Sequence, residues 1–333
     1  MHYAGDSEFR AVTLANGILQ HSTDCPILLA RKGIAKEIAD AKLKGVRVVE
    51  HAEKNPRAVE DVDCLIVINS DSRELCTTKY WQSKKINLHK VKTVCFLFNF
   101  IVSPSISLPT IRHPNLRIAV TNNRFYYEVK QSRYNAVRLL PRTVIRSPID
   151  HSLTDRPKTE SAVIRIGRHA KPINTKFNVD TLKLVREVNR THSDLVKWDF
   201  MGVPEEHIEE LKEHPNVTVR KEFSMLVGEY LQGIDVFLHF TKWRHQEPWS
   251  RAVAESMVSR CAIVTIDTDG GNRDQVLDGN TGYLCKDMDR IIERCSWLVK
   301  NPETVRQMGR NANLFSRQFT VERVVQHLLD FIR

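Results

Sequence analysis

The stretch "HFTKWRHQEPWSRAVAESMVSRCAIVTIDTDGG", residues 239–271, contains a complete strand–helix–strand signal. Its first two residues end the apolar run DVFLHF, and a polar segment then leads into a helix predicted from Ser250. A second apolar run, Ala262–Ile266, and a Gly-Gly turn follow. Because a helix that joins two apolar, strand-sized runs is typical of a parallel crossover, the stretch predicts part of a parallel sheet covered by helices.

The same alternation of strand and helix signals runs through the chain. In the first half, helices are predicted at Glu8–Gln20 and Ile34–Leu43, and strands at Pro26–Ala30, Val46–Glu50, Cys64–Ile68, Thr93–Phe98 and Leu116–Thr121. In the second half, strands are predicted at 162–167, 196–201, 217–220, 235–240 and 262–266, with helices at 178–189, 205–213 and 224–232, from Ser250, and three times after Asp287. The pattern therefore predicts an α/β fold with parallel sheets.

Chain length and the restart of the pattern near residue 150 indicate two domains. A chain of 333 residues exceeds what one hydrophobic core supports and suits domains of roughly 150 residues. We predict an N-terminal Rossmann-like domain at 1–150, with its first strand missing or shortened, and a second Rossmann-like domain at 151–318. Residues 142–150 would form the crossing between them. A helix is expected at 319–333, and one option is that this helix crosses back to the first domain.

Several protein classes are disfavoured by the composition. The longest apolar runs, such as CLIVI at 64–68 and VCFLF at 94–98, are far shorter than the ~20 residues of a membrane-spanning helix. No basic-then-apolar leader opens the chain, so no signal peptide is expected. The seven cysteines include no CxxC pair, which indicates reduced thiols rather than disulfides or a zinc site. We expect a cytoplasmic protein, with peripheral contact at an inner membrane, or the host cytoplasm of a phage, as further options.

Positive charge is concentrated in the first half of the chain. The net charge is +10, and residues 72–146 hold 14 Lys/Arg against two acidic residues, Glu74 and Glu128. A solvated basic surface is one interpretation. Because this excess spreads over predicted strands and helices rather than a tail, we favour a face that contacts an anionic partner. Lys84 and Lys85 lie in its most basic stretch.

Two basic residues flank the loop in "IRIGRHAKPINTKF", residues 164–177. A predicted strand ends at Gly167, which would allow the backbone to approach a ligand, and Arg168 and Lys176 bracket the following loop. A guanidinium and an ammonium in this position suit a departing diphosphate. A basic surface loop is the alternative.

Two carboxylates stand eight residues apart around the predicted helix start. Glu247 lies at the end of the loop, and Pro248, Trp249 and Ser250 can begin a helix whose amide N–H groups suit a phosphate or sugar oxygen. Glu255 follows inside that helix. Carboxylates accept hydrogen bonds from pairs of sugar hydroxyls, so the pair predicts binding of two sugar rings. Two solvated helix glutamates are the alternative.

These pieces occur together in an order that resembles a known family. Residues 233–320, with the strand-G-R-x(7)-K segment at 164–176, resemble the carboxyl-terminal half of retaining GT-B glycosyltransferases of the large family four. The shared features are Asp235 opening a strand, the E-x7-E pair Glu247 and Glu255, GG-x-x-[DE]-x-V at Gly270–Val276, DG-x-TG at Asp278–Gly282, and NPE-x-x-x-x-MG-x-NA from Asn301. The first half is similar only in outline, through the helix after Gly5 and the segment TVIRSPID.

The resemblance implies a fold and a set of residue roles. The GT-B fold has two Rossmann-like domains facing across a cleft, and its second domain binds most of a nucleotide-sugar donor, here expected to be linked to UDP or GDP. No metal and no cofactor are implied. The implied contacts are Arg168 and Lys176 with the diphosphate, Glu247 and the amides of Trp249 and Ser250 with the sugar, Glu255 with the ribose, and Arg220, Lys221 and Phe223 with the base. Glu247, Arg168 and Lys176 are the candidate catalytic residues, and Gly5, Asp6, Asn99, Lys84 and Lys85 are candidates on the acceptor side.

The first half departs from the family in two respects. Met1–Asp6 leads directly into the first predicted helix, where the family has a strand. The strand ends that often carry a histidine read Asn69-Ser70 and Asn99-Phe100. Both departures concern catalysis more than donor binding.

Three functions follow from the sequence. The first is a retaining transferase that acts on an anionic or membrane-associated acceptor, an envelope glycan or lipid-linked sugar. The second is transfer to hydroxymethylated bases of phage DNA, whose transferases have "INS" after a core strand, echoed at 68–70; duplex DNA would require base flipping. The third is a non-catalytic protein that binds nucleotide sugars.

Overall fold

The chain forms two compact units. A computed structural model describes residues 6–29, 46–49, 54–68, 77–98, 111, 113–131, 140–151, 158, 161–241, 247, 249–268 and 270–333. The first unit comprises 1–148 together with 319–333, and the second comprises 149–318.

The described elements of the first unit alternate between helices and strands. In chain order they are α1 Asp6–His21, β1 Ile27–Leu29, β2 Arg47–Val49, α2 Pro56–Glu60, β3 Cys64–Ile68, α3 Thr78–Ser83, β4 Thr93–Phe98, β5 Leu116–Val120, α4 Asn123–Lys130 and β6 Arg142–Val144. Strands β3, β4, β5 and β6 form a four-stranded sheet in that order, and β1 pairs with β2; all of these pairs are parallel.

Two helices, one near each end of the chain, cover one face of the four-stranded sheet. The final helix of the chain, Val321–Ile332, packs Val325 and Leu328 against Leu14 and Ile18 of α1 and against Leu97 of β4. Cys95 lies in this cluster with Leu97, whereas Val94, Phe96 and Phe98 of β4 lie in a second cluster. Because β4 is buried on both faces, its sequence is continuously apolar instead of alternating.

The structure differs from one prediction for this unit and does not describe another. Residues 142–150 were predicted to be a crossing, but Arg142–Val144 is the edge strand β6, which pairs with β5 in the register Ala119↔Thr143. Three half-buried residues after Pro141 are too few to show a strand period, so β6 could not be predicted from the alternation of apolar and polar residues. The predicted helix Ile34–Leu43 lies outside the described residues.

The second unit contains six strands, each followed by helical structure. Its elements are β7 Ile164–His169, α5 Asp180–His192, β8 Val196–Met201, α6 Ile208–Lys212, β9 Val217–Arg220, α7 Val227–Gln232, β10 Val236–His239, α8 Arg251–Val258, β11 Ala262–Ile266, α9 Asn272–Gln275, β12 Gly282–Cys285, α10 Met288–Val299 and α11 Pro302–Ser316; the final helix of the chain is α12. The predicted alternation is confirmed, and β12 and α9 are additional to it.

The strand order of the second unit reverses once. The sheet runs β12-β11-β10-β7-β8-β9, with every pair parallel. This is the doubly wound order of Rossmann folds, in which ligands bind at the carboxyl ends of the strands where the order reverses. Here the reversal lies between β7 and β10, which pair through Val236↔Ile166 and Phe237↔Gly167. The residues that end these two strands therefore define the expected binding position.

Candidate functional site

Glu247 lies in a small pocket at the carboxyl ends of β10 and β11. The pocket is lined by His239, Phe240, Thr241, Glu247, Ile266, Thr268 and Asn272. One carboxylate oxygen of Glu247 is paired with Lys176 Nζ, and the other lies 3.2 Å from His239 Nε2. The carboxylate is mostly buried, so these two partners offset the cost of removing its charge from water.

The Gly-Gly turn fixes the backbone of Glu247. The Gly271 N–H donates to the Glu247 carbonyl at 2.9 Å. A Cβ added at Gly270 would lie 2.8 Å from that same carbonyl oxygen, so a side chain there would displace the loop. The two glycines of the GG-x-x-[DE] motif therefore position the first glutamate of the E-x7-E motif.

Arg168, near the end of β7, is a buried cation with an unused donor. It is 5% exposed; its Nη2 donates to the Lys176 carbonyl at 2.5 Å, and its guanidinium lies 5.1 Å from the centre of the Phe177 ring. Its Nη1 is buried and has no hydrogen-bond partner among the described residues. Burial lowers the pKa of Arg168 to about 10, so the side chain remains protonated at neutral pH. A buried cation with an unsatisfied N–H favours an anionic ligand.

Glu255, on α8, faces the end of β7. Its Oε1 accepts from Arg251 Nε at 2.8 Å, and its Oε2 lies 3.9 Å from His169 Nε2. Burial, with further contributions from Arg251 and Arg168, lowers the pKa of His169 to about 3, so this ring is neutral at physiological pH.

Each of the two glutamates thus has a histidine from a strand end beside it. His239 ends β10 and His169 ends β7, the two strands at the reversal. The sequence analysis missed both histidines. Each histidine lies at the end of an apolar run, and this position is the only sequence signal that could have indicated these two residues.

Gly167 has a different role from the predicted one. A Cβ at this position would lie 2.4 Å from the Asp199 carbonyl oxygen, 2.4 Å from Ile234 Cδ1 and 2.7 Å from the Tyr230 hydroxyl. Internal packing therefore occupies the space that we expected to allow close approach of a ligand. The glycine allows β7, β8 and α7 to pack closely, and in doing so it positions the neighbouring Arg168.

Replacing Gly167 by alanine is expected to destabilise the protein by about 1–3 kcal/mol, because two of the three opposing groups are fixed by the sheet and its helices. Chemical denaturation would measure the change. Gly233→Ala is the control, since its Cβ would have one close contact, 3.3 Å from the Tyr230 carbonyl. Equal stability of Gly167→Ala and the unmodified protein would contradict this packing role.

Ser250 caps helix α8. Its Oγ accepts from the Val253 N–H at 3.3 Å, and its own N–H donates to Gln275 Oε1 at 2.9 Å. The Ser250 amide is therefore already bonded, which is a correction to the expected sugar contact. Trp249 is buried beside it, and Pro248 lies outside the described residues.

The predicted base-binding residues lie at the end of β9. Arg220 makes a bidentate ion pair with Asp199, with N–O distances of 2.8 and 2.9 Å. Lys221 is exposed. Phe223 follows the carboxyl end of β9, has a positive φ of 57° and is 43% exposed. Of the three, Phe223 has the geometry suited to stacking on a base.

Of the proposed acceptor-side residues, Asp6, Lys84 and Lys85 fall within the described part of the chain. Gly5 and Asn99 lie outside the described residues, and Asp6 begins α1. Lys84 and Lys85 precede β4 and therefore lie toward the amino end of that strand. Since parallel α/β sheets bind ligands at the carboxyl ends of their strands, these lysines do not belong to a reaction centre at that edge.

No group of three or more metal-ligating side chains occurs among the residues that the structure describes. Within the same residues, no helix has the length and apolar character needed to cross a bilayer.

Solved structures with the same architecture identify the fold class. Anabaena HepE in complex with UDP-glucose aligns with a TM-score of 0.72 at 12% identity, covering 99% of this chain and 96% of that one. Sucrose-phosphate synthase of Thermosynechococcus elongatus aligns with a TM-score of 0.66 at 11% identity, covering 98% and 92%. Staphylococcus aureus TarM, solved with Fondaparinux, alpha-GlcNAc-glycerol and UDP, aligns with a TM-score of 0.55 at 15% identity, covering 78% and 58%. The chain has the GT-B fold, as predicted.

Sequence comparison finds similarity to glycosyltransferases in the second unit. Residues 184–315 match the family model "Glycosyl transferases group 1". Trehalose synthase of Thermococcus litoralis is 27% identical over 107 residues, which cover 32% of this chain and 25% of that protein. Trehalose synthase of Pyrococcus horikoshii is 33% identical over 64 residues, covering 19% and 15%. The matches thus span a quarter or less of these relatives, and the predicted resemblance to glycosyltransferases is confirmed.

Proposed function

We propose that this protein transfers a sugar from a nucleoside-diphosphate sugar and binds that donor mainly through its second unit. The observation that carries the proposal is the buried Arg168, whose unsatisfied Nη1 lies at the strand reversal together with Glu247 and Glu255. The cation suits a diphosphate and the two carboxylates suit sugar hydroxyls. UDP is the favoured nucleotide, because HepE and TarM were solved with UDP or UDP-glucose.

The proposed reaction breaks the bond between the anomeric carbon and the diphosphate oxygen. The bonding electrons pass to that oxygen, and Arg168 and Lys176 stabilise the charge that develops on it. An acceptor hydroxyl forms the new bond to the anomeric carbon, and its proton passes to the departing diphosphate oxygen. Glu247 holds the hexose or pentose, and Glu255 holds the ribose. Retention of anomeric configuration is part of the proposal and rests on the family resemblance.

Lys176 must change partners in this scheme. In the structure its ammonium is paired with Glu247. A bound diphosphate would attract Lys176, while the hydroxyls of the sugar would become partners for Glu247. Donor binding would therefore replace one ion pair by two ligand contacts: Lys176 would gain an anionic partner in the diphosphate, and the Glu247 carboxylate would accept hydrogen bonds from the sugar.

The proposed acceptor is anionic or membrane-associated: an envelope glycan or a lipid-linked sugar. The excess of basic residues in 72–146 supports this choice. The TarM structure, solved with glycan ligands, favours a glycan as the acceptor rather than a base of DNA. DNA with hydroxymethylated bases is the second candidate, favoured by the same charge; Asn69 and Ser70 lie outside the described residues. A non-catalytic protein that binds nucleotide sugars is the third.

Arg168→Ala and Glu255→Gln are each expected to weaken binding of free UDP by roughly ten- to a hundredfold, because each removes charge-assisted hydrogen bonds of about 1.5–3 kcal/mol. Isothermal titration calorimetry would measure the affinities. Arg165→Ala is the matched control, since Arg165 is exposed on the same strand and lies three residues before Arg168. Unchanged UDP affinity in both variants would remove the donor-site assignment.

Transfer is expected to continue in excess EDTA, because Arg168 and Lys176 supply the positive charge that a metal would otherwise provide. The measurement is the rate of nucleoside diphosphate release with and without chelator. Activity that is abolished by EDTA and restored by manganese would contradict this role of the two cations.

A further inference from the structure

Asn272 lies in the same pocket as Glu247 and has a fixed orientation. It directly follows the Gly-Gly turn as the first residue of α9, and it is 6% exposed. Its Nδ2 donates to Thr265 Oγ1 at 2.9 Å and to the Ile266 carbonyl at 3.1 Å. A backbone carbonyl only accepts, so the atom that faces it must be the amide nitrogen.

Thr265 extends this chain of hydrogen bonds to the end of β10. Its Oγ1 donates to the His239 carbonyl at 2.5 Å, so the hydroxyl proton is used and its lone pair receives the Asn272 amide. Every donor in the chain is therefore assigned. The Asn272 side chain is held against the ends of β10 and β11, and rotation of its amide would break both Nδ2 bonds.

The remaining atom of the amide is an unsatisfied acceptor. Asn272 Oδ1 is buried and has no hydrogen-bond partner among the described residues. Buried polar atoms are nearly always hydrogen-bonded, so this acceptor calls for a partner that the described residues do not supply. The pocket that Asn272 lines also contains the Glu247 carboxylate, which is another acceptor. The oxygens of Glu247 have Lys176 and His239 beside them, and a carboxylate oxygen accepts more than one hydrogen bond, so a ligand with two hydroxyls can donate both to Asn272 Oδ1 and to Glu247.

We propose that Asn272 is a specificity-determining residue for the donor sugar, because its Oδ1 accepts a hydrogen bond from one sugar hydroxyl while Glu247 accepts from another. The inference rests on the proposed function and adds a residue to it. The site therefore selects a sugar with a free hydroxyl at this position. A deoxy sugar would leave Asn272 Oδ1 unbonded, and a site built to bond a hydroxyl discriminates against the analogue that lacks it.

Binding of UDP-glucose and its four monodeoxy analogues would test the proposal by calorimetry. We expect the unmodified protein to bind two analogues about tenfold more weakly than UDP-glucose because each loses one hydrogen bond. One lacks the hydroxyl proposed to bond Glu247 and the other lacks the hydroxyl proposed to bond Asn272; the affinity ratio of the second analogue reports on Asn272. In Asn272→Ala that ratio should fall to near one, while the ratios for the other three analogues stay the same. An unchanged ratio in Asn272→Ala would overturn the proposal.

The variant Thr265→Val distinguishes recognition of a sugar hydroxyl by Asn272 from a purely structural role of Asn272 in the pocket. This variant removes the hydroxyl that receives Asn272 Nδ2 and leaves the Ile266 carbonyl contact in place. A merely structural role of Asn272 predicts uniform weakening of all five ligands in Thr265→Val and Asn272→Ala alike, and that result would also overturn the proposal. Asn272→Ser, which is smaller and still polar, replaces Asn272→Ala if the latter does not fold.

Failure of the proposed function gives a different result. If the unmodified protein binds neither UDP nor UDP-glucose, the donor assignment falls and the role of Asn272 falls with it. If the protein binds both, and Asn272→Ala leaves the affinity ratio of every deoxy analogue unchanged, the role of Asn272 alone is overturned.

Discussion

Replacing Glu247 by alanine is expected to reduce sugar transfer about a hundredfold or more while affinity for free UDP is retained. Free UDP lacks the sugar that Glu247 is proposed to hold, and loss of this carboxylate leaves its partner Lys176 available to the diphosphate, so affinity for UDP should not fall. Transfer requires the sugar to be positioned, and Glu247 is the carboxylate in the pocket at the ends of β10 and β11. Steady-state rates and calorimetry on the same preparation would measure both quantities.

Glu229→Ala serves as the control, because Glu229 is an exposed glutamate on α7 of the same unit. Its rate and its UDP affinity should match those of the unmodified protein. If Glu247→Ala loses UDP binding and turnover to the same extent, the division of sugar and ribose between Glu247 and Glu255 is incorrect.

Acceptor binding is expected to depend steeply on salt if residues 72–146 contact a polyanion. For duplex DNA, neutralising about four phosphates gives a slope near −3.6 in log K against log salt, or about a hundredfold loss from ~50 to ~200 mM. A neutral glycan should show almost no slope. Anionic vesicles should give an intermediate slope that disappears with neutral lipid. Titration of labelled DNA and of vesicles over this range distinguishes the acceptors.

Charge reversal at Lys84 and Lys85 should reduce whichever slope exists, and reversal at the exposed Lys300 of the second unit is the control. Because Lys84 and Lys85 precede β4, at the edge of the sheet opposite the strands' carboxyl ends, their reversal should weaken acceptor affinity and leave the maximal transfer rate unchanged. If neither DNA nor anionic vesicles bind at the low-salt end, the basic segment is a solvated surface.

The strands that could be predicted most accurately are those whose burial is visible in the pattern of their own residues. β3, β4, β8, β9 and β11 were predicted with the bounds that they have in the structure, because each is a run of apolar or alternating residues bounded by polar turns. The edge strands β6 and β12 were missed. Both are short, and β12 begins inside a glycine-containing motif that reads as a turn.

The residues around the glutamates were harder to predict than the glutamates. Glu247 and Glu255 stand in a spaced motif that the sequence shows directly. His169, His239 and Asn272 matter because β7 lies beside β10 and β10 beside β11, and this pairing is a property of the folded sheet. Gly167 was misinterpreted for the same reason, since the Asp199 carbonyl that occupies its space comes from β8.

The most direct test of the central proposal is mass spectrometry of the products after the protein is mixed with a panel of nucleotide sugars and candidate acceptors. The acceptors are envelope glycans, lipid-linked sugars and hydroxymethylated DNA. We expect one acceptor to gain the mass of one sugar, with release of an equal amount of nucleoside diphosphate, and we expect Glu247→Ala to lose this product. Binding of a nucleotide sugar with neither transfer nor hydrolysis for any donor would contradict the proposed activity and favour a non-catalytic binding protein.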